Sequence, residues 1–296
     1  MSTAKEASTS ERASGRAMSG GSAAPARTTG SIASADGTQI GWEQIGQGPA
    51  IAVVHGGFRA AEHYRALAAA LSPRFTVVAY DRRGRGASGP APARDGIDVE
   101  LADLEAVLRA TGATRVFGHS AGAVIALEAA LRLPVIQRLA VFEPPISAEL
   151  PVAWVPAFER ALAADDLARA MVLLIDGLQM GPRHIPLWLL ALPIRVLLRL
   201  RGETRRQLGV LLRSFPRDLA MARALPPGLE RYRRLACPTL LLGGGKSPAY
   251  LKTALDRLAA VIPHVERAEL PAAGHNAPDQ DAPEEVAARL AAVFAA

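Results

Sequence analysis

Short apolar runs and longer amphipathic stretches alternate along most of this chain. Residues 50–54, 75–80, 114–117, 139–142 and 239–243 are brief runs rich in Val, Leu, Ala and Phe, the pattern of strands buried on both faces. Between them, residues 60–71, 98–110, 123–130 and 249–261 have helical composition, and Leu101, Leu104, Val107 and Leu108 fall on one helical face. Residues 265–270 predict a last strand. Asp281, three residues before Glu284, predicts the capping box that opens a final helix. Two runs, 30–35 and 38–45, flank Asp36-Gly37, a two-residue turn signal that predicts an antiparallel hairpin. The alternation stops once: residues 151–234 read as helix, with apolar clusters at 171–175 and 187–190 and prolines expected as breaks.

These elements predict an α/β fold class: a mostly parallel, doubly wound sheet, opened by an antiparallel N-terminal hairpin and interrupted by a helical insert before the penultimate strand. The expected organisation is a core formed by residues 29–146 and 235–296, with the insert at 147–234. In such sheets ligands bind beyond the carboxyl ends of the strands. His55, Asp81, Ser120, Glu143, Gly243 and His275 all fall at or just after predicted strand ends, so they are expected to share one edge of the molecule.

Composition narrows the class. Half of the 296 residues are hydrophobic and 21% are charged, as in a soluble globular protein with one substantial core. The formal charge of +6 raises nucleic acid or anionic lipid as partners. That charge is regional: residues 183–223 hold nine arginines against Glu203 and Asp218, a net +7. With no recognition motif, nucleic acid is not expected; the arginine-rich segment leaves an acidic carrier or a membrane surface open. Cys237 is the only cysteine, which excludes an internal disulfide and provides no metal site by itself. Residues 1–28 are rich in Ser, Ala, Gly and Thr without the apolar core of a signal peptide, so a disordered leader and a cytoplasmic location are expected. No run reaches the roughly 20 apolar residues that span a bilayer.

The chemistry centres on Gly118-His119-Ser120-Ala121-Gly122, which joins a predicted strand to a predicted helix in the pattern G-x-S-x-G. A turn this tight has no room for a Cβ on either flank, and glycine relieves the crowding. The serine hydroxyl is thereby pushed out above the sheet edge.

Around it, His55-Gly56-Gly57-Phe58, the run Tyr80-Asp81-Arg82-Arg83-Gly84-Arg85-Gly86, and Gly274-His275 occur in the order and at the spacing of the α/β-hydrolase fold. From about residue 30 to the end, the chain resembles that family, in its serine-nucleophile branch with a helical cap. The resemblance implies that Ser120 is the nucleophile, His275 the base, and the insert the cap. It implies that the N–H of Ala121, with that of Gly57 or Phe58, binds the oxyanion. His119, Trp154, Met180 and Trp188 are expected to line a mainly apolar substrate pocket. Arg82, Arg83 and Arg85 are expected to be solvated or paired, and His55 to brace the oxyanion loop.

The sequence departs from the family at the acid. Gly244-Gly245-Lys246-Ser247-Pro248 follows the strand that usually precedes it, and no carboxylate comes before Asp256. Glu143, held extended by Pro144, is the expected substitute, with Asp256 as the alternative. The implied activity is hydrolysis of an ester or thioester of a small apolar substrate through an acyl-enzyme, without metal or cofactor. Carbon–carbon hydrolysis and perhydrolysis use the same three groups, and a ligand-binding protein that has lost turnover is the rival from another class. Serine in place of aspartate argues against epoxide-hydrolase and haloalkane-dehalogenase chemistry.

Overall fold

Asp36-Gly37 turns the chain between β1 (Thr28–Ala33) and β2 (Gln39–Ile45), which pair antiparallel with Ala33 opposite Gln39. Gly37 takes φ +82°, the left-handed conformation that glycine enters without steric cost. The computed structural model describes residues 26–91, 96–146, 150–182 and 184–295. Most of the expected leader therefore lies outside the described residues, and Thr28 already belongs to β1.

The remaining strands are β3 (Ala50–Val54), β4 (Thr76–Tyr80), β5 (Arg115–His119), β6 (Arg138–Phe142), β7 (Thr239–Gly244) and β8 (Val265–Leu270). They complete an eight-stranded sheet in the order β1-β2-β4-β3-β5-β6-β7-β8, parallel from β4 onwards. Side chains alternate between its faces. Ala52 and Val54 of β3 enter one apolar cluster with α2 (Ile97–Thr111), α3 (Ala121–Arg132) and α8 (Ala249–Ala259). Ile51 and Val53 enter the other, with α1 (Arg65–Leu71) and α9 (Pro283–Ala295). Phe117, Phe142 and Phe294 are fully buried in that second cluster, each stabilising the fold by about 1.5–3 kcal/mol.

Among the described residues, four α-helices lie between β6 and β7: α4 (Val155–Ala163), α5 (Leu167–Gly177), α6 (Leu187–Leu200) and α7 (Gly202–Ala224). They share an apolar cluster of their own around Phe158, Leu174 and Leu212. The expected proline breaks fail at two places, because Pro193 lies inside α6 and Pro216 inside α7. Pro193 is exposed, so the carbonyl that it leaves unpaired can be hydrated. Asp281 does not cap the last helix either. It ends a wide turn, Ala277–Asp281, and α9 starts two residues later on Pro283, whose missing N–H costs nothing at a first helical position.

The arginine loop after β4 is paired but not solvated. Arg82, Arg83 and Arg85 are all buried. Arg82 donates to Glu100 at 2.6 and 2.9 Å and to Asp218 of α7 at 2.6 Å, and Arg85 reaches the second Asp218 oxygen at 2.6 Å. Burial by itself would raise the Asp218 carboxyl; Arg82 and Arg85 outweigh it and hold it below the usual range. Removing one partner from such a buried network costs about 3–5 kcal/mol. The inserted helices are therefore fastened to the core at this point.

Candidate active site

Ser120 is the hinge between β5 and α3, with φ +54° and ψ −121°, a conformation that costs about 1–3 kcal/mol for a non-glycine residue. Its surroundings enforce the strain. A Cβ on Gly118 would lie 2.5 Å from the Gly122 carbonyl oxygen, and one on Gly122 would lie 2.6 Å from that of His55. The Ser120 N–H donates to Phe142 O at 2.9 Å, tying the turn to the end of β6. Ala121 is the first residue of α3, so its N–H has no acceptor within the helix. Phe58, across the cleft, also has positive φ, +59°, and its side chain packs against the cluster of the inserted helices.

Glu143 follows β6 directly and is fully buried. Its Oε2 accepts a hydrogen bond from His275 Nδ1 at 2.6 Å, and its Oε1 accepts one from Gly244 N–H at 2.7 Å. The glycines at the end of β7 thus have two effects: they bring no carboxylate of their own, and they leave room for one from the neighbouring strand. A Cβ on Gly243 would come within 3.2 Å of Glu143 Oε1. The backbone of Glu143 is not extended as Pro144 predicts; φ is +49°. Two strong hydrogen bonds to the carboxylate hold that strained geometry in place. Asp256, the alternative, lies on α8 with a side chain 69% exposed and a 3.3 Å contact to Arg267.

Since the carboxylate can only accept, His275 donates from Nδ1, and in the neutral imidazole that tautomer leaves Nε2 as an acceptor. His275 and Ser120 line the same two cavities. The narrower, about 40 Å³, is walled by Pro145, Leu178, Met180, Leu219, Tyr250 and Leu251. The wider, about 320 Å³, adds Phe58, Arg59, Met171, Ile175, Asn276 and Gln280. Gly57, Phe215, Leu178 and Met180 border both.

His119 also borders the wider cavity but is held from behind. Its Nε2–H donates to His275 O at 2.9 Å, leaving Nδ1 to accept from the Tyr64 hydroxyl at 2.7 Å; that oxygen in turn accepts from Gly56 N–H at 3.0 Å. Burial, with His275 and Arg59 nearby, pushes the His119 pKa well below its ordinary value, so it stays neutral. One chain of hydrogen bonds thereby joins the Gly56-Gly57 loop, the serine turn and the His275 loop. Arg59 makes a second brace, bonding Asp279, Phe58 O and Asn276. His55 makes a third: Arg82 N–H donates to its Nε2 at 2.9 Å, so Nδ1–H donates to Gly56 O at 2.8 Å.

The two tryptophans fall outside the cavities. Trp154 packs edge-on to Phe158 and close to Phe215, with its indole N–H on Pro151 O at 2.8 Å. Trp188 is 67% exposed on α6. Trp154 precedes α4, and Trp188 sits on α6, whose apolar residues continue around the axis, so hydrophobicity alone did not distinguish wall, interior and surface. Phe215, on α7, and Leu178, just past the end of α5, carried no sequence signal. Tyr64 and Arg59 could have been found from their position within nine residues of His55. Among the described residues, no group of three His, Cys, Asp or Glu side chains could hold a metal ion, and no helix is long and apolar enough to cross a membrane.

Comparison with known proteins agrees with this architecture. A 102-residue stretch is 38% identical to an uncharacterized hydrolase of Bacillus subtilis (strain 168), YraK, covering 33% of this chain and 38% of that protein. A putative carbamate hydrolase of Klebsiella pneumoniae (strain 342), RutD, is 28% identical over 230 residues, 74% of this chain and 82% of the relative. The crystal structure of an alpha/beta hydrolase from Sphaerobacter thermophilus DSM 20745 superposes with a TM-score of 0.74 at 30% identity, covering 90% of this chain and all of that one. Residues 51–289 match the model of the alpha/beta hydrolase family, and the chain belongs to that family.

Proposed function

We propose that this hydrolase cleaves an ester or thioester of a mainly apolar small molecule through an acyl-enzyme on Ser120. The observation that carries the reading is the 2.6 Å hydrogen bond from His275 Nδ1–H to buried Glu143, beside a strained serine that lines the same cavities. In this mechanism Ser120 Oγ attacks the carbonyl carbon and gives its proton to His275 Nε2, while Glu143 stabilises the imidazolium. The N–H of Ala121 and that of Gly57 or Phe58 receive the oxyanion, each donor contributing about 10²–10³-fold. His275 then protonates the departing alcohol or thiol. Water repeats the sequence on the acyl-enzyme, releasing the acid and returning the proton to Ser120.

The walls of the cavities favour an apolar substrate, and the helices of residues 147–234 act as the cap in this reading. The narrow cavity suits a short acyl group, and the wide one the leaving group. The carboxylate missing after β7 was the motive for a non-catalytic binding protein; Glu143 takes that position in the enzyme reading. A carbamate is the second reading, favoured by the RutD relative, and it calls on the same groups at a carbonyl flanked by nitrogen. Hydrolysis of a series of short-chain aryl esters and aryl carbamates by the wild type and by Ser120→Ala tests both. The expected result is turnover of at least one series that Ser120→Ala abolishes; equal rates for both proteins would reject the proposal.

A further inference from the structure

Helix α6 (Leu187–Leu200) is apolar around its whole circumference: of its fourteen residues only Arg195 and Arg199 are polar. Such a helix is normally enclosed on every side. Here only one side is. Ala191 and Leu198 are buried, and Leu187, Leu190 and Ile194 pack against the cluster of the inserted helices. The opposite side carries Trp188, Leu192, Val196 and Leu200 at four-residue spacing, with Leu189 and Leu197 beside them, all exposed; Leu200 is 78% accessible. Val210 of α7 is also exposed.

The charges around the patch indicate what covers it. Residues 187–206 include Arg195, Arg199, Arg201, Arg205 and Arg206 against Glu203 alone, a net +4. Arg195 is paired with Asp166 at 2.7 Å, and Arg205 and Arg206 also have acidic partners. Arg199 and Arg201 are exposed and have no carboxylate partner among the described residues. A second copy of the chain, related by a two-fold axis through this face, would set like charges against each other. An anionic bilayer surface meets both needs: acyl chains for the leucines, and lipid phosphates for the arginines. Tryptophan and arginine are the side chains suited to that boundary. At about 21 Å the helix is too short to span the hydrocarbon layer and would lie in its plane.

We propose that the exposed face of α6 docks this protein on membranes rich in anionic phospholipid. Helix α6 packs on α5, whose Met171, Leu174 and Ile175 line the wide cavity, so the docked face is one helix layer away from the candidate active site. Docking does not depend on the chemistry of Ser120 and is measured without turnover.

The test is co-sedimentation of the full chain with vesicles of phosphatidylcholine alone and with vesicles that also contain phosphatidylglycerol. Binding should be confined to the anionic vesicles and should weaken as salt is raised. Arg199→Gln with Arg201→Gln should lower partitioning about thirtyfold, and Val196→Ser with Leu200→Ser should abolish it. Both double variants should keep the wild-type melting midpoint, which separates lost docking from lost fold. Equal binding to both vesicle types, or to neither, would overturn the proposal. So would a concentration-dependent dimer in sedimentation velocity that the Val196→Ser, Leu200→Ser variant dissolves, because a second copy would then be the occupant.

Discussion

Replacing Glu143 with glutamine probes the account where its geometry is most demanding. The carboxylate is fully buried and accepts two hydrogen bonds, from His275 Nδ1–H at 2.6 Å and Gly244 N–H at 2.7 Å. Glutamine keeps the shape but turns one acceptor into a donor, so only one of the two bonds can keep its direction. If its oxygen stays on Gly244, its NH₂ faces His275, and the imidazole must move its proton to Nε2, where it can no longer take one from Ser120. If the oxygen stays on His275, the NH₂ opposes the Gly244 N–H and a buried donor is left unmade, at about 1–3 kcal/mol. In either arrangement the imidazolium loses its counter-charge. The comparable change in serine proteases lowers kcat about 10⁴-fold, equivalent to ~5.5 kcal/mol of transition-state stabilisation. Steady-state hydrolysis of an aryl ester should therefore fall by three to four orders of magnitude, on the order of that precedent, with KM little changed. Circular dichroism should show an intact fold, with the melting midpoint lowered by roughly 2–6 °C. A folded Glu143→Gln protein that retains more than about a tenth of wild-type kcat would refute the role of the acid, since a decade is only ~1.4 kcal/mol.

Asp256→Asn should leave kcat unchanged and alter stability by no more than about 0.5 kcal/mol in urea unfolding, because its side chain is 69% exposed and pairs loosely with Arg267. A loss of turnover would move the acid to α8. Gly122→Ala should destabilise by at least about 2–3 kcal/mol and remove reactivity at Ser120, because the new Cβ would meet the Val54 and His55 carbonyl oxygens; a urea midpoint like that of the wild type would contradict the steric reading. Stability should also fall as pH drops below about 6.5. His55 and His119 are held well below that value by burial, with the neighbouring arginines and His275 adding to the shift. The unfolded chain therefore takes up protons first, and the stabilisation is complete above the unfolded pKa and lost towards the lower folded one. Each such histidine contributes a slope of up to ~1.4 kcal/mol per pH unit. Urea titrations between neutral and mildly acidic pH should show the slope reduced by that amount in His55→Gln; an unchanged slope would contradict the assignment.

The sheet was legible because its central strands, β3 to β7, are buried on both faces and their apolar runs are continuous, and the hairpin because Gly37 needs positive φ. The serine turn was legible for a steric reason, since Gly118 lies against the backbone of α3 and Gly122 against the carbonyls of Val54 and His55 at the end of β3. At the acid, the informative feature was a gap. Three glycine positions, Gly243 to Gly245, left Glu143 as the nearest carboxylate on a strand end, and that is where the structure puts a carboxylate against His275. Its left-handed backbone was not legible, because tertiary hydrogen bonds override the local preference that proline sets. The same limit applied to Arg82 and Arg85. In sequence they belong to a polar glycine loop, and only Asp218, more than 130 residues away, shows them to be buried. In α6, apolar residues on every face erased the periodicity that would have marked Trp188 as a surface residue, while Met180 reaches the cavity from the connection between α5 and α6, where no helical period applies.

The central claim, an activated nucleophile at Ser120, is tested most directly by reaction with a fluorophosphonate followed by mass analysis of the intact chain and its peptides. A single adduct is expected on the peptide that contains Ser120, absent in Ser120→Ala and formed far more slowly in Glu143→Gln. An unmodified protein that is demonstrably folded, or an adduct on another residue, would contradict it.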